Sequence, residues 1–265
     1  MLTIHQAGVT YPGGAIGLKP TSRCFNAGEF TVLIGSSGAG KSTLLRLLNL
    51  LTRPTVGTLN SELAGDLSVP SCLRSHRRQT AMIFQQHQLI KRFSALRNVL
   101  MGRLGHYGTL RSLFPFKRRD FLLALESLDR VGLLPLAQNR VDTLSGGQQQ
   151  RVGIARALTQ QPRLILADEP VASLDPATAR MILDLLRQVC REDGITAVVS
   201  LQQVDLALSF ADRVIGLARG EILFDQRPSE IKPHYLERLY DYSNRSVDLP
   251  PTLAVNTLET CGISA

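Results

Sequence analysis

Short unbroken apolar runs alternate along the chain with longer stretches in which apolar residues recur every three or four positions. "TVLIG" (31–35) has the continuous aliphatic character of a buried strand, and "KSTLLRLLNLL" (41–51) has the period of a helix. The same reading predicts strands at 80–84 ("TAMIF"), 163–167 ("RLILA"), 195–200 ("ITAVVS") and 213–218 ("RVIGLA"). "RGEILFD" after the last of these predicts a closing hairpin over about 213–225. Strands separated by helices point to an α/β core with a largely parallel sheet.

The pattern changes between about 86 and 143. Strand signals vanish, and helix-period stretches such as 121–131 ("FLLALESLDRV") take over. This predicts a helical subdomain inserted in the core, with 102–119, rich in Gly, Pro and aromatics, as a long loop or short helices. Beyond about 240 the chain is polar and interrupted by proline, which predicts a flexible or loosely docked tail over 241–265. The expected organisation is one domain over 1–240 with the insert inside it.

Composition narrows the class. A chain of 265 residues, 44% hydrophobic, can bury a sizeable core. With a mean hydropathy of +0.03 it reads as soluble and globular. No apolar run approaches the roughly 20 residues needed to cross a bilayer, and "MLTIHQAGVTYPGG" lacks the pattern of a signal peptide. Cys24, Cys72, Cys190 and Cys261 have no metal-ligand spacing and read as free thiols of a reducing compartment. The histidines at 5, 76, 87, 106 and 234 form no metal-binding pattern. The net charge of +8 fits nucleic acid, an anionic membrane surface or an acidic partner. It concentrates at 74–78, 91–92 and 117–119, as either a solvated face or a docking surface.

Three motifs carry chemistry. "GSSGAGKST" (35–43) lies between a strand and a helix. Gly35, Ser36, Ser37, Gly38, Ala39 and Gly40 form a turn whose amides can face a phosphate, aided by the helix N-terminus. Lys41 can reach the β- and γ-phosphates, Ser42 can ligate Mg²⁺, and Thr43 can hydrogen-bond a phosphate oxygen. "RLILADEP" (163–170) ends a strand in two carboxylates, Asp168 for a Mg²⁺ shell and Glu169 as general base toward water. "LSGGQQQR" (144–151) places Ser145, Gly146, Gly147 and Gln148 at a helix start as a second anion site. The two anion sites lie on different subdomains, so two chains arranged head to tail can close one phosphate site between them.

In this order the motifs resemble those of ABC-transporter ATPase subunits, over roughly residues 1–240. The resemblance implies a P-loop NTPase core of ABC ATPase type, with an inserted helical subdomain and an N-terminal antiparallel β region. It implies ATP and Mg²⁺ as cofactors, with Tyr11 stacked on adenine and Gln85 linking the Mg²⁺ site to the helical insert. It also places Asp175, in "SLD", in a loop crossing between protomers. Phrases such as "ILADEPVASLDP" and "FQQHQLIKRFSALRNVLMGRL" resemble ATPase subunits of phosphonate, phosphite and hypophosphite importers. That narrower likeness implies an ATP-sandwich homodimer, a membrane permease pair, a separate substrate-binding protein and a peripheral place on the cytoplasmic face of the inner membrane. No nucleic acid is expected. The segment 86–117 is expected to receive the permease, with Leu89, Phe93 and Leu96 among its contacts.

One position departs from the pattern. Where such proteins carry a switch histidine after the strand that follows the paired carboxylates, this chain has Gln202 in "SLQQ". Glutamine keeps an amide donor but cannot become cationic. Hydrolysis with Glu169, Lys41 and Gln202 is therefore expected to be slow or otherwise supported. The competing readings are a non-transport ABC ATPase and a binding-only regulatory subunit.

Overall fold

The computed structural model describes residues 1–85, 88–108 and 115–244, without the side chains of 242–244. Two sheets organise it. The first is antiparallel: β1 (Leu2–Thr10) pairs with β2 (Ile16–Phe25) and β4 (Val56–Ser61), and β4 with the short β5 (Gly65–Asp66). The second joins β3 (Phe30–Ile34), β6 (Thr80–Ile83), β7 (Leu164–Asp168), β8 (Thr196–Ser200), β9 (Arg213–Ala218) and β10 (Glu221–Gln226) in the order β10-β9-β3-β8-β7-β6. Its pairs are parallel except β9–β10.

The central strands read as unbroken apolar runs because both faces are covered. Leu33, Leu166, Val198 and Ile215 face one core, shared with the antiparallel sheet and with helix α1 (Lys41–Leu48). Val32, Ile34, Ile165, Ala197 and Val199 face the other. That second core includes α5 (Gly146–Thr159), α6 (Pro176–Glu192) and α7 (Val204–Phe210).

Helix α1 stops at Leu48, short of the expected Leu51. Leu50 turns into the left-handed region at φ 50°, and its N–H and that of Leu51 donate to the carbonyls of Leu47 and Arg46. This closes the helix, and burial of the Leu50 side chain offsets the left-handed strain. The hairpin expected at 213–225 is present. Arg219 and Gly220, at φ 49° and 71°, form its two-residue turn, whose twist matches the flanking strands.

α2 (Pro70–Gln79) precedes β6, and the helical region follows it. α3 (Ala95–Leu100) leads into a 3₁₀ turn at Met101–His106, so part of the glycine-rich 102–119 is helical. α4 (Arg118–Arg130) covers the predicted helix at 121–131, and α3 and α4 pack against α5. α8 (Pro233–Asn244) packs on β9 through buried Leu239 and runs past the boundary expected at 240. The remainder of the expected tail, with Cys261, lies outside the described residues, as do Gln86, His87 and 109–114. Among the described residues no helix is long and apolar enough to cross a membrane.

Candidate functional site

The loop between β3 and α1 is shaped by what surrounds it. A Cβ on Gly35 would lie 2.1 Å from the Leu217 carbonyl, and one on Gly40 (φ 106°) would lie 2.7 Å from the Gly17 carbonyl. The Ala39 N–H donates to Ser36 O, and the Ala39 carbonyl accepts from Gly220 N–H, tying the loop to the β9–β10 turn. Ser37 and Gly38 sit exposed on its outer curve, Gly38 at φ 76°. Gly40 opens α1 without any side-chain cap. The first-turn amides are therefore left to another acceptor, the arrangement an anion needs.

Lys41 is buried, and its ammonium donates to Gly35 O at 2.8 Å and Ser36 O at 3.1 Å. Its Nζ also lies 3.7 Å from Glu169 Oε1. Burial lowers the Lys41 pKa, and the Glu169 and Asp168 carboxylates oppose that shift. A cation held in place but partly desolvated interacts strongly with any phosphate that enters.

The carboxylates come from the end of β7. Asp168 is paired in register with Ser200 on β8. Its Oδ1 accepts from the Ser42 and Ser200 hydroxyls, each at 2.9 Å. Ser200 Oγ in turn accepts from the Glu169 N–H at 2.8 Å. Glu169 sits at φ 46°, a strained conformation for a non-glycine residue that turns its side chain off the strand line. Gln202, just beyond β8, donates its Nε2 amide to Glu169 Oε2 at 2.8 Å. The Glu169 carboxylate thus lies between Lys41 and Gln202.

Ser200 completes this cluster and was not singled out from the sequence. Its signal was a hydroxyl residue closing an otherwise apolar strand, and only the β7–β8 register made that informative. Ser42 and Asp168 supply a hydroxyl and a carboxylate, hard oxygen donors that suit Mg²⁺, which typically takes one or two carboxylates together with phosphates and water. No group of three or more His, Cys, Asp or Glu residues suited to a metal occurs among the described residues. One hydroxyl and one carboxylate fit an ion that takes its remaining ligands from phosphates and water.

Tyr11 stands beside the loop, with its hydroxyl 3.0 Å from Thr43 Oγ1. Gln85 follows β6 and is exposed. Ser145, Gly146, Gly147 and Gln148 form a separate turn. There Ser145 Oγ accepts from Gln148 N–H, and Gln148 Oε1 accepts from Ser145 N–H, capping α5 reciprocally. A Cβ on Gly147 would lie 2.8 Å from Thr178 Cγ2, so the turn packs on the start of α6. Asp175 caps that helix through the Thr178 N–H.

One of the expected docking contacts, Leu96, needs correction. Leu96 is only 8% exposed and belongs to the core, because it faces inward from the short α3. Leu89 packs partly against the same core, and the Phe93 ring carries the Arg97 guanidinium at 4.5 Å. Exposed apolar side chains in the helical region include Ile90 and Leu104. A separate groove is lined by Leu51, Arg77, Phe84, Gln88, Met101 and Arg156.

Residues 18–172 match the ABC transporter family. The chain is 61% identical over 250 residues to the phosphite import ATP-binding protein PxtA of Stutzerimonas stutzeri, covering 94% of this chain and 90% of that protein. It is 59% identical over 240 residues to a phosphonates import ATP-binding protein, PhnC 1, of Trichodesmium erythraeum (strain IMS101), covering 91% and 95%. Among solved structures, the dimeric ATP-binding cassette MJ0796 in a post-hydrolysis state bound to ADP and Pi superposes with TM-score 0.75 at 34% identity, covering 86% of this chain and 99% of that one. The ADP conformation of the cassette MJ1267 gives TM-score 0.79 at 26% identity, covering 91% and 98%.

Proposed function

This chain belongs to the ABC transporter family, and we propose that it is the ATP-hydrolysing subunit powering an importer for phosphite, phosphonates or related phosphorus oxyanions. The observation that carries the reading is the cluster at the ends of β7 and β8. There a buried lysine, two hydroxyls, two carboxylates and an amide converge beside an uncapped helix start.

The residues divide the work. Gly35 to Thr43 cradle the phosphates through backbone amides, with Lys41 as the fixed cation and Tyr11 under the base. Ser42, Asp168 and Gln85 would hold Mg²⁺, which would supply charge neutralisation at the phosphates when bound. Glu169 accepts a proton from the attacking water, and Gln202 orients that carboxylate through its amide. Ser145 to Gln148 and Asp175 close the site of a second copy, giving a head-to-tail homodimer. The surface that carries exposed Ile90 and Leu104 receives the permease, and a separate binding protein delivers the anion. The subunit thus sits peripherally at the cytoplasmic face of the inner membrane.

The anion assignment rests on the two relatives named above. Its test is ATP turnover in vesicles carrying the whole transporter. Binding protein loaded with phosphite or methylphosphonate should stimulate turnover well above the unloaded protein. Absence of stimulation by every phosphorus oxyanion would overturn the assignment.

A further inference from the structure

Tyr11 is fixed on more than one side. Its ring lies against Gly17, where a Cβ would come within 2.5 Å of Tyr11 Cε2 and 3.0 Å of Thr43 Cγ2. Its backbone closes a turn through Tyr11 N–H to Ala15 O and Gly14 N–H to Tyr11 O. Its hydroxyl meets Thr43 Oγ1 at 3.0 Å, and Thr43 is a buried member of the first turn of α1. Gly17 in turn touches the P-loop, since its carbonyl is what a Cβ on Gly40 would strike. The base platform and the phosphate loop are thus packed as one unit.

A threonine hydroxyl has one proton to donate and lone pairs to accept with. If Tyr11 donates to Thr43 Oγ1, the Thr43 proton is left for a phosphate oxygen, and the first bond polarises the second. We propose that Tyr11 serves both ends of the nucleotide: its ring carries the base, and its hydroxyl, through Thr43, strengthens the hold on the phosphates. This rests on the reading of residues 35–43 as the nucleotide site. It makes Tyr11 a positioning residue for the phosphates as well as a stacking surface.

A ligand without a base separates the two roles. Binding of magnesium tripolyphosphate and of MgATP would be measured by calorimetry on the full chain, for wild type, Tyr11→Phe, Thr43→Val and the double variant. Tyr11→Phe keeps the ring, so pure stacking leaves tripolyphosphate affinity unchanged. The proposal expects a loss of roughly three- to tenfold for tripolyphosphate as well as for MgATP, the range of one hydrogen bond. It also expects no further loss when Tyr11→Phe is added to Thr43→Val, because the relay is already broken. Wild-type tripolyphosphate affinity in Tyr11→Phe, or full additivity of the two losses, would overturn it. Lys41→Ala is the control for the site. If it binds tripolyphosphate like wild type, the ligand sits elsewhere, and the nucleotide-site reading falls together with the relay.

Discussion

Replacing Gln202 by histidine tests the side chain that meets the Glu169 carboxylate opposite Lys41. In the structure the Gln202 amide donates to Glu169 Oε2 at 2.8 Å, while Lys41 Nζ lies 3.7 Å from the other carboxylate oxygen. A neutral imidazole would replace one N–H donor by another and change little. An imidazolium would add a charge beside the atoms where negative charge shifts during hydrolysis. Hydrogen bonds to charged groups exceed neutral ones by about 1–1.5 kcal/mol, so Gln202→His should raise turnover by up to about tenfold with little change in ATP affinity.

The gain carries a pH signature. The Glu169 carboxylate raises the pKa of the introduced imidazole above its usual value near 6.5, with Lys41 opposing from the far side. The advantage should therefore be full at about pH 6 and fade as pH rises through that raised pKa, whereas the wild-type amide has nothing to titrate there. Gln203→His is the control, since Gln203 is the N-cap position before α7 and its side chain makes no capping bond. The assay is steady-state ATP turnover in the assembled transporter from about pH 6 to 8.5. Equal turnover of wild type and Gln202→His at pH 6, or the same gain from Gln203→His, would refute the reasoning.

Three further outcomes follow from the same geometry. Glu169→Gln should trap ATP in a stable homodimer, and adding Ser145→Arg should prevent it; sedimentation at saturating MgATP showing only monomer for Glu169→Gln would count against the sandwich. His76 is buried with Nε2 2.9 Å from Leu48 O, and burial lowers its pKa below 6.5. The unfolded chain therefore binds its proton first on acidification, so the stability His76 contributes is full above about pH 6.5 and is lost as pH falls below it. The melting temperature of His76→Gln should fall less steeply than wild type between about pH 7.5 and 5.5, and parallel curves would exclude His76 as the cause. Finally, cysteines at Ile90 and Leu104, 45% and 38% exposed, should cross-link to the permease while one at Leu96, 8% exposed, should not. Efficient cross-links from Leu96 would mean that α3 opens on assembly.

The sequence by itself determined the strands of the larger sheet and the loop that joins β3 to α1. Both-sided burial makes β3, β7 and β8 unbroken apolar runs, and the glycine spacing of 35–40 admits one kind of turn between a strand and a helix. The expectation of phosphate chemistry at Lys41 and Ser42 rests on local residue types, because a loop of this kind would hold a phosphate mainly through its backbone amides. Tertiary structure decided what depends on register and on approach between distant segments. Ser200 joins the site only because β8 pairs with β7 so that it stands opposite Asp168. Gln202 reaches Glu169, and Tyr11 reaches Thr43, across 33 and 32 positions of chain. Leu96 reads as a surface contact in a basic segment, yet the packing of α3 against α4 and α5 buries it. Local propensity fixes which way a strand or helix forms. Which side chains then meet is set by how separately formed elements pack, and no short stretch of sequence carries that.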